Sequence, residues 1–110
     1  MQIDFNKLSE MTIPGMNNGS GEMTCRMYKD ASYRFIKTAI HPGGSIGLHR
    51  QGSGDDINFI LSGQGKAICD GVEEELQPGI IHICPKGSEH SIVNTGVDDL
   101  AMLTIVAEKQ

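Results

Sequence analysis

Five positions in the middle of the chain carry side chains that could hold a metal ion or move a proton: His49, Gln51, Asp56, His82 and His90. They include three of the chain's four histidines. Imidazole nitrogen combined with carboxylate oxygen suits Mn, Fe, Co, Ni or Zn. Neutral imidazoles, one carboxylate and a neutral amide oxygen would leave a divalent ion with a single net positive charge. That charge can polarise a bound oxygen atom or lower the pKa of a water molecule.

Strand geometry can bring these groups together. Side chains alternate along a strand, so His49 and Gln51 share a face, Asp56 shares one with Asn58 and Ile60, and His90 shares one with Ile92 and Asn94. Three strands of one barrel can therefore aim His49, Gln51, Asp56 and His90 at a common interior. Asp55 would replace Asp56 if the loop Gly52-Ser53-Gly54 shifted register by one. His82 lies in the run Ile80–Cys84 and shares a face with Cys84. It reads either as a pocket acid/base or alternative ligand, or as a core or interface histidine with its ring nitrogen satisfied. Asn58 is the other pocket residue that could steady a proton. Arg34, Asn58 and Met102 fall on strands that could line the barrel mouth, where Arg34 could hold a substrate carboxylate. Arg50 points away from His49 and reads as a surface charge. His41, beside Pro42, reads as a turn residue. No serine sits in a nucleophile elbow, and no cysteine has an obviously basic setting.

The elements that must position these groups are strands throughout. Residues 23–28, 32–41, 45–51, 56–61, 66–69, 72–76, 80–84, 90–94 and 100–107 read as strands, rich in β-branched and aromatic types and punctuated by Gly and Pro. Asp70-Gly71 is the strongest hairpin signal, and 62–65 reads as a second hairpin turn. The run 100–107 is apolar enough to be central. Residues 14–22 read as a loop or mobile arm, and Ile3, Phe5 and Leu8 as a short strand or packing edge. Strands recurring about every ten residues with no helical period point to an all-β sandwich or barrel, which must hide its edges.

Composition narrows the function classes. A chain of 110 residues argues for one domain, and 14 glycines for many turns. The net charge of −5 argues against nucleic acid and anionic membrane as main partners. The absence of Trp and the few aromatics argue against a stacking platform for single strands. The acidic run Glu73-Glu74-Glu75 reads as a solvated strand edge or turn. Three widely spaced cysteines read as buried or half-buried thiols in a reducing compartment. No apolar run approaches the ~20 residues of a membrane helix, and no signal peptide is evident. A soluble cytoplasmic protein is expected.

In residues 32–107 the chain resembles the cupin superfamily, specifically its small single-domain bacterial-type members. The first cupin motif is Gly, five residues, His, one residue, His, three or four residues, Glu, six residues, Gly. Here Gly43, His49, Gln51, Asp56 and Gly63 follow that spacing. The second motif is Gly, five residues, Pro, one residue, Gly, two residues, His, three residues, Asn. Gly79, Pro85, Gly87, His90 and Asn94 match it throughout. The resemblance implies a double-stranded β-helix, or jelly-roll, over residues 32–110, with residues 1–31 as an arm packing on the barrel or on a partner subunit.

The resemblance also implies metal ligands at His49, Gln51, Asp56 and His90. Gln51 stands where the family usually has His, and Asp56 where it usually has Glu. An amide is a weaker donor to a transition metal than imidazole, so two histidines and one carboxylate with an optional Gln form the working set. The expected cofactor is a divalent ion (Zn, Fe, Mn, Ni or Co). The expected function is action on, or sensing of, a small oxygen-rich metabolite. Family members of this size include isomerases, lyases and dioxygenases. The alternative is a non-catalytic small-ligand-binding barrel with a degenerate or empty metal site. A homodimer through an outer sheet is implied, with Ile3, Phe5, Leu103 and Ile105 available for burial.

Overall fold

The computed structural model describes residues 1–108 of the chain. Ten strands are formed: β1 (Met11–Pro14), β2 (Glu22–Lys29), β3 (Tyr33–Ile40), β4 (Ser45–Arg50), β5 (Gly54–Ser62), β6 (Gly65–Cys69), β7 (Val72–Leu76), β8 (Ile81–Cys84), β9 (Glu89–Asn94) and β10 (Leu100–Glu108). The helical pieces are single 3₁₀ turns at Phe5–Lys7 and Met16–Asn18. Among the described residues no helix is long and apolar enough to cross a membrane.

The strands form two antiparallel sheets. One has six strands in the order β1-β2-β3-β10-β5-β8, the other four in the order β4-β9-β6-β7. Burial alternates along β9 and along most of β5 and β10, as it must when one face of each sheet meets the other sheet. Ile40, Ile60, Leu76, Ile92, Leu100 and Met102 fill the space between them. This is the all-β jelly-roll expected from the sequence. β10 is central, paired with β3 on one side and β5 on the other.

Asp70 and Gly71 both take positive φ, 48° and 82°, as a type I′ turn requires, and join β6 to β7. The second expected hairpin is corrected. Residues 62–65 link β5 of one sheet to β6 of the other, so they form a crossing between sheets. Gly63 has φ +86°, and a Cβ there would run into the carbonyl oxygen of Asp99. Gly-rich turn chemistry marks a change of direction, but it does not say whether the next strand pairs back.

Residues 14–22 are also corrected: they pack against the barrel. Met16 lies against the core cluster. The Ser20 hydroxyl donates to the Gly43 carbonyl at 2.9 Å, and the Ser45 amide donates to the Ser20 carbonyl at 2.9 Å. Near the N-terminus the expected edge begins later than Ile3. Residues 5–7 form a turn, and β1 extends the large sheet beyond β2, with Pro14 on an edge strand where no ladder donor is needed.

Asn94 has a structural role. Its side-chain amide donates to the Ile40 and Asp98 carbonyls, each at 2.8 Å, and its oxygen accepts from the Gly96 amide at 2.8 Å. It ties β9 to the end of β3 and shapes the β9–β10 loop.

Candidate metal centre

His49 and His90 stand directly opposite each other on β4 and β9. A bulge in β4 between Ile46 and His49 turns His49 inward and leaves Leu48 exposed. Asp56 comes from β5 of the other sheet, so the site bridges the two layers. One donor atom each from His49, Asp56 and His90 lies within 4.8 Å of the others. His90 Nε2 is 3.1 Å from His49 Nε2 and 3.1 Å from Asp56 Oδ2. Gln51, just past the end of β4, is buried and lines the same cavity. The four sequence-derived ligand positions thus all line the cavity, and three of them bring ligating atoms within 4.8 Å of one another.

The proton positions follow from the partners. His49 Nδ1 faces the Gly47 carbonyl at 2.8 Å. A carbonyl only accepts, so Nδ1 carries the proton and neutral His49 has a bare Nε2. His82 Nδ1 faces a Glu74 carboxylate oxygen at 3.0 Å, so it is protonated and neutral His82 has a bare Nε2. That nitrogen lies 3.1 Å from His90 Nδ1, which must donate to it. Neutral His90 then also has a bare Nε2. With the histidines in their neutral forms, His49 Nε2, His90 Nε2 and Asp56 Oδ2 face one another as three lone-pair donors. Such a set is chemically suited to hold a cation.

Asn58 orients the carboxylate. Its amide nitrogen lies 3.2 Å from Asp56 Oδ1 and donates to it, and its oxygen accepts from the Thr104 hydroxyl at 2.6 Å. Asp56 Oδ2 is left for the centre. Asn58 therefore lines the cavity, but its polar atoms are spent on Asp56 and Thr104. Asp55 accepts from the Lys86 amide at 3.0 Å, and the register of β5 keeps Asp56 inward.

His82 does not face the cavity. It is fully buried behind His90, with its ring stacked at a centroid distance of 5.4 Å. Of the two readings of His82, the buried histidine with both ring nitrogens partnered is the one the geometry fits, and the pocket acid/base is not: His82 sits behind His90 and away from the cavity. Its neighbour Glu74 went unrecognised within the Glu73–Glu75 run. Glu73 pairs with Lys66 at 3.4 Å in the manner of a solvated strand, while Glu74 reaches across the seam between β7 and β8. Its parity with buried Leu76 on β7 was the available signal.

Cys84 lies beside this network. Burial, then the adjacent Cys69 and the charges of Asp56 and Asp70, push its thiol up to about 12. It stays a neutral thiol at neutral pH, and so a poor nucleophile. Arg50 lies at the surface and pairs with Glu89 at 2.6 Å. His41 pairs with Asp99 at 2.9 Å near the start of β10.

The centre opens into a cavity of about 400 Å³ between the sheets. Comparison with known proteins agrees with this architecture. The cupin domain model matches residues 37–106. An oxalate-binding protein of Thermotoga maritima is 30% identical over 112 residues, covering 96% of this chain and 93% of that protein. The crystal structure of a predicted oxalate decarboxylase from the same organism superposes with a TM-score of 0.91 at 27% identity, covering 99% of this chain and 100% of that one. An RmlC-like cupin from Shewanella frigidimarina shares the fold, with a TM-score of 0.78 at 14% identity over 96% of this chain and 87% of its own. With both motifs held on one jelly-roll and the matched segment running from β3 to β10, the chain belongs to the cupin domain family.

Proposed function

We propose that the protein holds one divalent transition metal at His49, Asp56 and His90, with Gln51 as an optional oxygen donor, and binds a small oxygen-rich metabolite beside it. The supporting observation is that His49, Asp56 and His90 each bring one metal-ligating atom within 4.8 Å of the others. A metal there would supply an electrophilic centre able to polarise a ligand oxygen or acidify a water. Metal binding is common among cupins, and two imidazoles with a carboxylate suit Zn, Fe, Mn, Ni or Co. Within the chain, Asn58 orients Asp56, and Glu74 through His82 fixes the tautomer of His90. The relative named for oxalate binding makes a small carboxylate the first ligand to test.

The measurement is elemental analysis of purified protein together with reloading by each metal. We expect about one ion per chain, lost in His90→Ala. A metal-free protein that cannot be reloaded would overturn the reading. The second reading, a ligand-binding barrel without metal, draws on Gln51, a weaker donor than the imidazole the family usually has there. Ligand-induced thermal stabilisation that survives a chelator would favour it.

The remaining assignments belong to the same proposal. Residues 1–31 serve as an arm on the barrel assigned to 32–110, of which 109–110 lie outside the described residues, and contribute Met11, Ile13 and Met16 to the cavity wall. The protein works in the cytoplasm, with no nucleic-acid or membrane partner. It pairs with a second copy through the outer face of the large sheet, where Phe59, Leu61, Ile81 and Ile83 are exposed.

A further inference from the structure

Every methionine except Met1 lines the barrel cavity: Met11, Met16, Met23, Met27 and Met102. Four isoleucines complete that wall. Among its polar lining groups, which also include Thr38, Gln51, Asn58 and Thr104, two places can bind an acid. One is the His49–Asp56–His90 cluster. The other is Arg34 on β3. Arg34 pairs across to Val106 on β10, and Val106 pairs with Asp56 on β5. Arg34 and Asp56 are therefore two strands apart on one inward face, about 10 Å between their backbones at the usual strand spacing.

The Arg34 guanidinium is not fully used. Nη2 donates to the Ser53 hydroxyl at 2.6 Å. Nε is buried and has no hydrogen-bond partner among the described residues. Glu108 lies 3.6 Å from it, close enough to balance the charge but too far to take the hydrogen. A buried donor of this kind costs stability unless something accepts from it. A carboxylate meets that need, and arginine is the side chain best shaped to receive one.

Oxalate has no apolar carbon, so it would leave the methionine wall without a partner. We propose that the cavity receives an organic acid with an apolar body: its carboxylate accepts from Arg34, a second oxygen group reaches the His49–Asp56–His90 end, and its carbon chain lies against the methionines. Methionine suits this task because its flexible thioether fits chains of differing shape. The inference deepens the preceding reading and rests on its view of the cavity as the ligand site.

Calorimetry on the full chain, with and without metal, tests it with oxalate and with straight-chain 2-oxo acids from pyruvate to 2-oxohexanoate. Affinity should rise about fourfold for each added methylene until the cavity is filled. Arg34→Met should weaken every 2-oxo acid about tenfold with metal content unchanged, and Arg34→Lys, which keeps the charge, should weaken them less. Met27, partly exposed, takes a second variant: Met27→Glu should abolish the gain with chain length. Thermal unfolding of each variant shows that it folds. Oxalate binding more tightly than every longer acid, or unchanged affinities in Arg34→Met, would overturn the inference. Metal bound without any acid binding would sink it and leave the metal reading standing. Longer acids bound without metal and dependent on Arg34 would do the reverse.

Discussion

At His90 both ring nitrogens have a set task. Nδ1 donates to His82, and Nε2 faces Asp56 and His49. The Glu74–His82 pair determines this, since Glu74 holds the proton of His82 on the far nitrogen. Outer partners of this kind tune metal ligands by about 10- to 100-fold in affinity. We therefore expect Glu74→Ala to weaken metal binding by that amount, measured by competition with a chromophoric chelator. Glu74→Gln should recover much of it, because its amide oxygen still accepts from His82. Nitrogen NMR of the His90 tautomer should move with Glu74→Ala, which a merely structural role would not produce. Gln51 offers the opposite change. Gln51→His supplies an imidazole where a weaker amide stands, and metal affinity should rise in the same assay. An unchanged affinity would remove position 51 from the coordination sphere. Strand parity and the cupin resemblance together pointed to His49, Asp56 and His90, which the fold brings together, and to Gln51, which lines the same cavity. The partnership of Glu74 with His82 was not legible, because their contact crosses the seam between β7 and β8 and no spacing along the chain encodes it.

At the scale of elements, the turns carry much of the specification. Gly63 lets β5 leave one sheet and β6 enter the other, and Gly63→Ala should lower the unfolding midpoint through both the positive φ and the collision with Asp99. The ion pair of His41 with Asp99 joins the end of β3 to the start of β10. The hydrogen bond to Asp99 raises the His41 pKa above its ordinary 6.5. A raised folded-state pKa gives stability that is complete below about pH 6.5 and is lost as pH rises through the raised value. Thermal midpoints compared at about pH 5.5 and about pH 8 should therefore show a decline with pH in the wild type. His41→Gln should flatten that component. The group is exposed, so the effect is small and salt-sensitive.

At the scale of the molecule, the large sheet keeps its inner face for the core and exposes Phe59, Leu61, Ile81 and Ile83 on its outer face. Contiguous exposed apolar surface of this kind marks association. Sedimentation of the proposed dimer should show one species of twice the chain mass at micromolar concentration. Ile83→Lys should shift it to monomer without altering the metal centre, since Ile83 points away from it. A wild-type monomer would remove the dimer from the model. By itself the sequence determined the all-β class, the central β10, the Asp70-Gly71 hairpin and the convergence of His49, Asp56 and His90. The first three depend on local periodicity or turn chemistry, and the last on the spacing of two motifs whose ligating positions the family resemblance supplies. The tertiary structure alone decided the crossing at Gly63, the packing of residues 14–22, the support of His90 by Glu74 and His82, and the methionine wall facing Arg34. Those features depend on which strands face each other across the barrel, and that pairing is set by the packing of the whole core.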